Sequence, residues 1–254
     1  MNARETQANF LERLQQATGT PVLLQADSQF LGHATIRMAR PNQPAHLLLY
    51  KPEHEAVLPY LVTYQCSFAL RLVESPPESR FDLVDRPNMH PDVLSLMQKH
   101  HQTGSSLTPA TLGELARRFG NSLGLQLRSM PIALRIDKQI YEQHPELRPL
   151  QQQSLDLQLQ ENMQSLSPRA TELAPPEIIR PNASMNAAFA KFFAGLWNSP
   201  IVFAPYVAAG YGDVADRLLA HFDRLGDQPQ QDRELVLAWA QELGLDGWFT
   251  TRDR

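Results

Sequence analysis

The sequence predicts an α+β protein: a small helix–sheet–helix core at the N-terminal end, followed by a mainly α-helical body. Three observations carry that expectation. Residues 1–75 pass from a helical period to three short apolar runs and back to a helical period. Residues 91–243 hold a succession of segments with apolar positions three and four apart. Twenty prolines against twelve glycines imply many helix stops and stiff connections.

The elements follow in order. Residues 6–18 place Phe10, Leu11, Leu14 and Ala17 on one face, and Gly19-Thr20-Pro21 ends that helix. The run at 21–24, the partly alternating LGHATIRMA at 31–39 and HLLLY at 46–50 read as three strands, with a turn at Pro41-Asn42-Gln43-Pro44. Residues 54–74 form the central helix. Its stripe of Val57, Leu58, Leu61, Val62, Phe68, Ala69, Leu72 and Val73 is wide enough for a mostly buried helix. Pro59 falls near the first turn, where a missing N–H costs least, and Ser75-Pro76-Pro77 stops the helix.

Beyond it, 79–90 reads as a polar loop and 91–102 as a helix broken by Thr103-Gly104-Ser105-Ser106. Thr108 is the expected N-cap of a helix over 109–119, with Gly120 at its end. Residues 132–144 and 147–166 are further helices, and 123–130 is helix or extended chain. Four prolines make 167–181 an expected linker, so the expected division is 1–166, 167–181 and 182–254. Helices are expected at 183–197, 212–224 and 231–243. The stripe of Phe189, Phe192, Phe193, Trp197, Phe203, Tyr206 and Tyr211 reads as the core of that last region.

Composition excludes several classes. Apolar content of 43% and charged content of 20% are those of a globular protein. A net charge of −4 argues against a generally basic nucleic-acid-binding surface. One cysteine, Cys66, excludes an intramolecular disulfide and a Cys-rich zinc module, and fits a reducing, cytoplasmic setting. The polar N-terminus is not a signal peptide, and no apolar run reaches the roughly 18 residues of a membrane span. No Gly-rich phosphate loop and no G-x-S-x-G elbow are present.

TGTPVLL, LGHATIRM, AHLLLYKP and LPYLVTYQCSFALRL together resemble the N-terminal core of the ImmA/IrrE-type zincin metallopeptidases over residues 8–75, by order and spacing rather than identity. In that family a helix and a small sheet precede a helix carrying A-H-E-x-G-H. The resemblance sets Tyr64 and Phe68 at the two zinc-ligand histidines, Gln65 at the general-base glutamate and Ser67 at the small residue between them. The chemistry needs two imidazoles on one helix face and a carboxylate that takes a proton from zinc-bound water. Tyr64 and Phe68 keep the spacing and remove both ligands; Gln65 keeps the shape of Glu and loses its basicity. Asp137 is the best candidate for the descendant of the third ligand, although a lone Asp on a helix is ordinarily solvated or ion-paired.

The resemblance therefore implies a catalytically inactive zincin-like protein, with no metal or cofactor, that works by protein–protein recognition in a mobile-element, stress or defence setting. Its remnant cleft would be lined by Tyr64, Gln65, Phe68, Arg71 and Asp137. Two alternatives stand beside it. One is an enzyme or small-molecule binder using that remodelled cleft. The other is a DNA-binding regulator through residues 108–128, where LTPATLGELARRFGNSLGLQLRS has the look of a helix-turn-helix, although a helical hairpin within a bundle fits Gly124 better. His54, His90, His100 and His101 show no metal-binding spacing. Cys66 and His54 lie about 18 Å apart along one helix and cannot act as a nucleophile pair.

Overall fold

A computed structural model describes residues 1–101 and 107–254; the break expected at Thr103-Gly104-Ser105-Ser106 lies outside the described residues. The protein is α+β with a helical body. It divides into two compact units, each discontinuous in sequence: residues 1–76 with 135–158, and 77–134 with 159–254. That division differs from the expected one, and 167–181 is mostly helical rather than a linker.

The first unit starts with α1 (Ala3–Thr18), whose N-terminus is closed by a capping box between Asn2 and Glu5. Gly19, at φ 65°, ends the helix in the left-handed conformation that its missing side chain permits. Three strands follow: β1 (Val22–Ala26), β2 (Ala34–Arg37) and β3 (His46–Tyr50). The sheet order is β1-β3-β2, with β1 parallel and β2 antiparallel to β3. A 3-10 turn, Pro52–Val57, leads into α2 (Leu58–Glu74). Leu14, Leu48, Val62, Cys66, Ala69 and Leu70 form the core where α1, α2 and the sheet meet, with Phe10, Val22, Ala34 and Ile36 packed against it. Each fully buried aliphatic side chain there contributes about 1.5–3 kcal/mol.

The stretch Pro52–Glu74 has the length and mean hydropathy, 1.3, to cross a membrane by composition alone, contrary to the sequence expectation. In the fold its apolar stripe is spent on α1 and the sheet. His46 ties the unit together. Its Nδ1 accepts from the Ala39 N–H and its Nε2 lies 2.9 Å from the Thr18 hydroxyl. The ring is thereby held neutral with its proton on Nε2, and burial lowers its pKa.

In the second unit, β4 (Phe81–Asp85), where a polar loop was expected, pairs antiparallel with β5 (Phe249–Asp253). α3 (Met89–His100) follows β4. The largest departure is α4, one continuous 35-residue helix, Pro109–Gln143, in place of a hairpin or a helix-turn-helix over 108–128. The glycines taken as breaks are sites of close packing. A Cβ at Gly120 would lie 2.5 Å from Met89 Sδ, and one at Gly124 would lie 2.7 Å from the Phe249 ring. Of this helix, the part up to Leu134 belongs to the second unit and the part from Arg135 to the first.

α5 (Arg148–Asn162) ends in a 3-10 turn, Met163–Leu166, so the expected helix 147–166 is shorter. α6 (Pro168–Leu173) and α7 (Pro176–Leu196) account for the proline-rich stretch. Pro168 and Pro176 occupy first helical positions, where proline is at home, and Ser167 caps α6 through the Ala170 N–H. α8 (Ala204–Ala208), α9 (Gly212–Leu225) and α10 (Asp232–Glu242) complete the body. Phe189, Phe193 and Tyr206 are fully buried, so much of the aromatic stripe is core. Trp239 is buried as well, and its indole N–H donates to Leu218 C=O at 3.0 Å.

Candidate functional site

The candidate site lies on α2, in the first unit. Tyr60 and Tyr64 lie one turn apart on one side of the helix, with ring centroids 6.1 Å apart. Opposite them stands Asp137, from the C-terminal part of α4, 1% exposed. The Tyr60 hydroxyl donates to Asp137 Oδ1 at 2.7 Å. The Gln151 amide donates to the same oxygen and to the Asp137 backbone carbonyl, each at 2.9 Å. Burial pushes the Asp137 carboxyl up to about 7, against the two hydrogen bonds that favour its charge. The same burial, with Asp137 adding its negative field, raises the phenols of Tyr60 and Tyr64 well above the ordinary range. Near neutral pH this is a carboxyl poised between charge states, enclosed by two neutral phenols and an amide.

Gln65 faces the sheet. Its carbonyl Oε1 accepts the Ile36 N–H at 3.2 Å and its Nε2 donates to the Ala34 carbonyl at 3.0 Å. β2 is an edge strand, and Ala34 and Ile36 are the residues whose backbone groups point away from β3. One side-chain amide therefore does what the next strand would do: it supplies a donor and an acceptor to the open edge. A glutamate of the same shape could take the N–H but would set a carboxylate oxygen against the carbonyl.

The remaining members of the expected cleft divide. Tyr64 and Asp137 are brought within electrostatic reach. Gln65, about 100° around the helix from Tyr64, serves β2 instead. Phe68 and Arg71 are half-buried on α2, and the Arg71 carbonyl accepts from the Ser75 hydroxyl. Burial pushes the Cys66 thiol up to about 12, and it sits wholly within the core as a small apolar residue. Two participants were missed from sequence. Tyr60, four residues before Tyr64, could have been found from helical spacing. Gln151 lies in a run of three glutamines and carries no local signal.

Among the described residues no group of three or more His, Cys, Asp or Glu side chains is placed to hold a metal ion. The rings of His33 and His54 lie 4.3 Å apart, a histidine pair without a third such ligand among those residues. What the fold and this site define is an α+β protein whose central helix carries a buried Tyr–Asp–Gln network on one side and an edge-sealing amide on another. In comparison with known proteins, the chain matches no family model, no curated protein and no solved structure.

Proposed function

We propose that the chain is a catalytically inactive, zincin-like protein that acts in protein–protein recognition in the cytoplasm, in the mobile-element, stress or defence setting that its resemblance implies. The observation that carries this reading is the pair of hydrogen bonds made by Gln65. The position that would supply a free base in a metallopeptidase holds an amide, and both of its ends are committed to the edge of β2. The helix that would do chemistry is used here to finish a sheet.

Recognition then falls to the other edge. Pro21 C=O and Asp27 N–H bond to the two ends of β3. In a parallel ladder the residues between alternate, so Val22, Leu24 and Ala26 turn their N–H and C=O groups outward. Leu23 and Leu24 are 55% and 37% exposed, and VLLQA has no charge, proline or bulge to discourage pairing. The partner this edge fits is an extended, uncharged segment of another protein, added as a fourth strand through its backbone.

Two measurements test the reading. The purified protein is expected to hold no stoichiometric zinc and to cleave no peptide library in a chelator-sensitive way; the opposite result overturns it. A displayed octapeptide library is expected to yield apolar, proline-free binders that lose at least tenfold in affinity against Leu24→Pro. That variant removes an outward N–H without touching the β1–β3 ladder. Binders that hold both proteins equally well would remove β1 as the recognition edge.

A further inference from the structure

The second unit contains a pocket of about 310 Å³ that has no part in the reading above. All its lining residues belong to that unit. Three helices supply the walls, each with residues that share a face. Phe119, Ser122 and Leu123 come from α4, Arg169, Ala170 and Leu173 from α6, and Ile178 with its neighbours from α7. The floor is apolar: Leu123, Ala174 and Ile178 are 2–3% exposed. The rim is different. Leu173 is 38% exposed and Arg169 is exposed. The size lies at the small end of ligand pockets, and the pattern of apolar walls with few polar groups is theirs.

The polar groups separate into used and unused. Ser165 donates to the Asn162 carbonyl, Ser167 caps α6, and Asn182 donates to the Gln126 amide. By contrast, the side chains of Ser122, Gln164 and Arg169 form no hydrogen bond or ion pair among the described residues. Among the described residues of the lining Arg169 alone is charged, and none of them is a carboxylate that could neutralise it. A guanidinium beside an apolar hollow asks for a ligand that brings both an anion and a hydrocarbon.

We infer that this pocket binds a small amphipathic organic anion of the medium-chain carboxylate class. Its chain lies against Phe119, Leu123 and Leu173, and its head is paired with Arg169 and hydrogen-bonded by Ser122 and Gln164. The test is calorimetric titration of the full chain with decanoate and with decyltrimethylammonium, which has the same tail and the opposite charge. Decanoate is expected to bind once per chain, at least tenfold more tightly than the cation. Arg169→Gln, an exposed change that leaves the walls intact, is expected to weaken decanoate about tenfold and to abolish the preference over the cation. Ala170→Trp, which fills the hollow, is expected to remove decanoate binding while helical circular dichroism is retained. No decanoate binding to folded protein, equal binding of the two tails, or an Arg169→Gln variant with undiminished affinity and charge preference would each overturn the assignment. The Arg169→Gln outcome stands whether or not the tryptophan variant folds.

Discussion

The two edges of the three-stranded sheet are built from similar short strands and meet opposite fates. The β2 edge offers Ala34 C=O and Ile36 N–H, and both are taken by Gln65 from α2. The β1 edge offers the same kinds of groups on Val22, Leu24 and Ala26, beside exposed leucines. An unpaired edge is a template for another strand, and proteins ordinarily block it with charge, proline or cover. Here one edge is blocked by a single amide, and among the described residues no hydrogen bond closes the other. The difference teaches that the bare edge does not follow from the sheet's small size: the fold has the means to close an edge and uses it once.

The largest effect separates inward from outward positions on β1. Gln25→Pro removes an N–H that faces β3 and is expected to cost about 3 kcal/mol or more, whereas Leu24→Pro removes one that faces solvent and is expected to cost about 1 kcal/mol. Urea unfolding of the two variants measures the gap. Equal costs would mean that the parity of the ladder is misassigned.

Next comes the sealed edge. Gln65→Leu leaves the Ala34 carbonyl and Ile36 N–H without partners and is expected to destabilise by about 1–3 kcal/mol. Gln65→Glu keeps the acceptor for Ile36 but opposes the Ala34 carbonyl. It is expected to lose stability as pH rises through the carboxylate range, and to approach the native protein in acid, where the carboxyl can donate. A Glu variant as stable as the native protein at neutral pH would show that Gln65 does not seal the edge by its two bonds.

A third effect lies on the other side of the same helix. The Asp137 carboxyl is raised to about 7 in the fold, against an ordinary value near 4. Between those limits the folded state holds a proton that the unfolded chain has released, so stability falls as pH rises through that window. Asp137→Asn abolishes the dependence. The stability of the native protein relative to this variant is expected to fall by about 2–3 kcal/mol between pH 5 and pH 8. His46 titrates in both proteins and cancels from the difference. Its lowered pKa gives stability that is present above the ordinary histidine value and is lost as pH falls below it. A pH-independent difference would place Asp137 in contact with solvent.

The smallest effect is local. Asn2→Ala removes the cap of α1 and is expected to cost about 1 kcal/mol without altering either edge. Binding at β1 should be unchanged, which separates general stability from the state of the edge.

What could be read from the sequence was what neighbours in the chain decide. The stripe of α2, the three strands and the end of α1 at Gly19 each depend on residues within a few positions. What could not be read depends on distant partners. β4 is a strand because Phe249–Asp253 lies beside it, more than 160 residues later. Gly120 and Gly124 look like helix breakers until Met89 and the Phe249 ring are set against them. Prolines at 168 and 176 look like linker residues until each is seen to begin a helix. At the site, Asp137 stood out as a candidate position. Its donors Tyr60 and Gln151, which decide what it can do, come from α2 and from α5. Gln65 read only as a glutamate that had lost its charge. That the amide has a purpose of its own became visible with Ala34 and Ile36 beside it.

The contrast between the two edges can be measured one amide at a time. Native-state hydrogen exchange followed by NMR reports the Ile36 N–H, which Gln65 accepts, and the Leu24 N–H, which points outward from β1. The account predicts that Ile36 exchanges at least tenfold more slowly than Leu24, and that Gln65→Leu brings Ile36 to the Leu24 rate while the amides of β3 stay protected. Equal rates in the native protein, or an Ile36 rate that Gln65→Leu leaves unchanged, would contradict it.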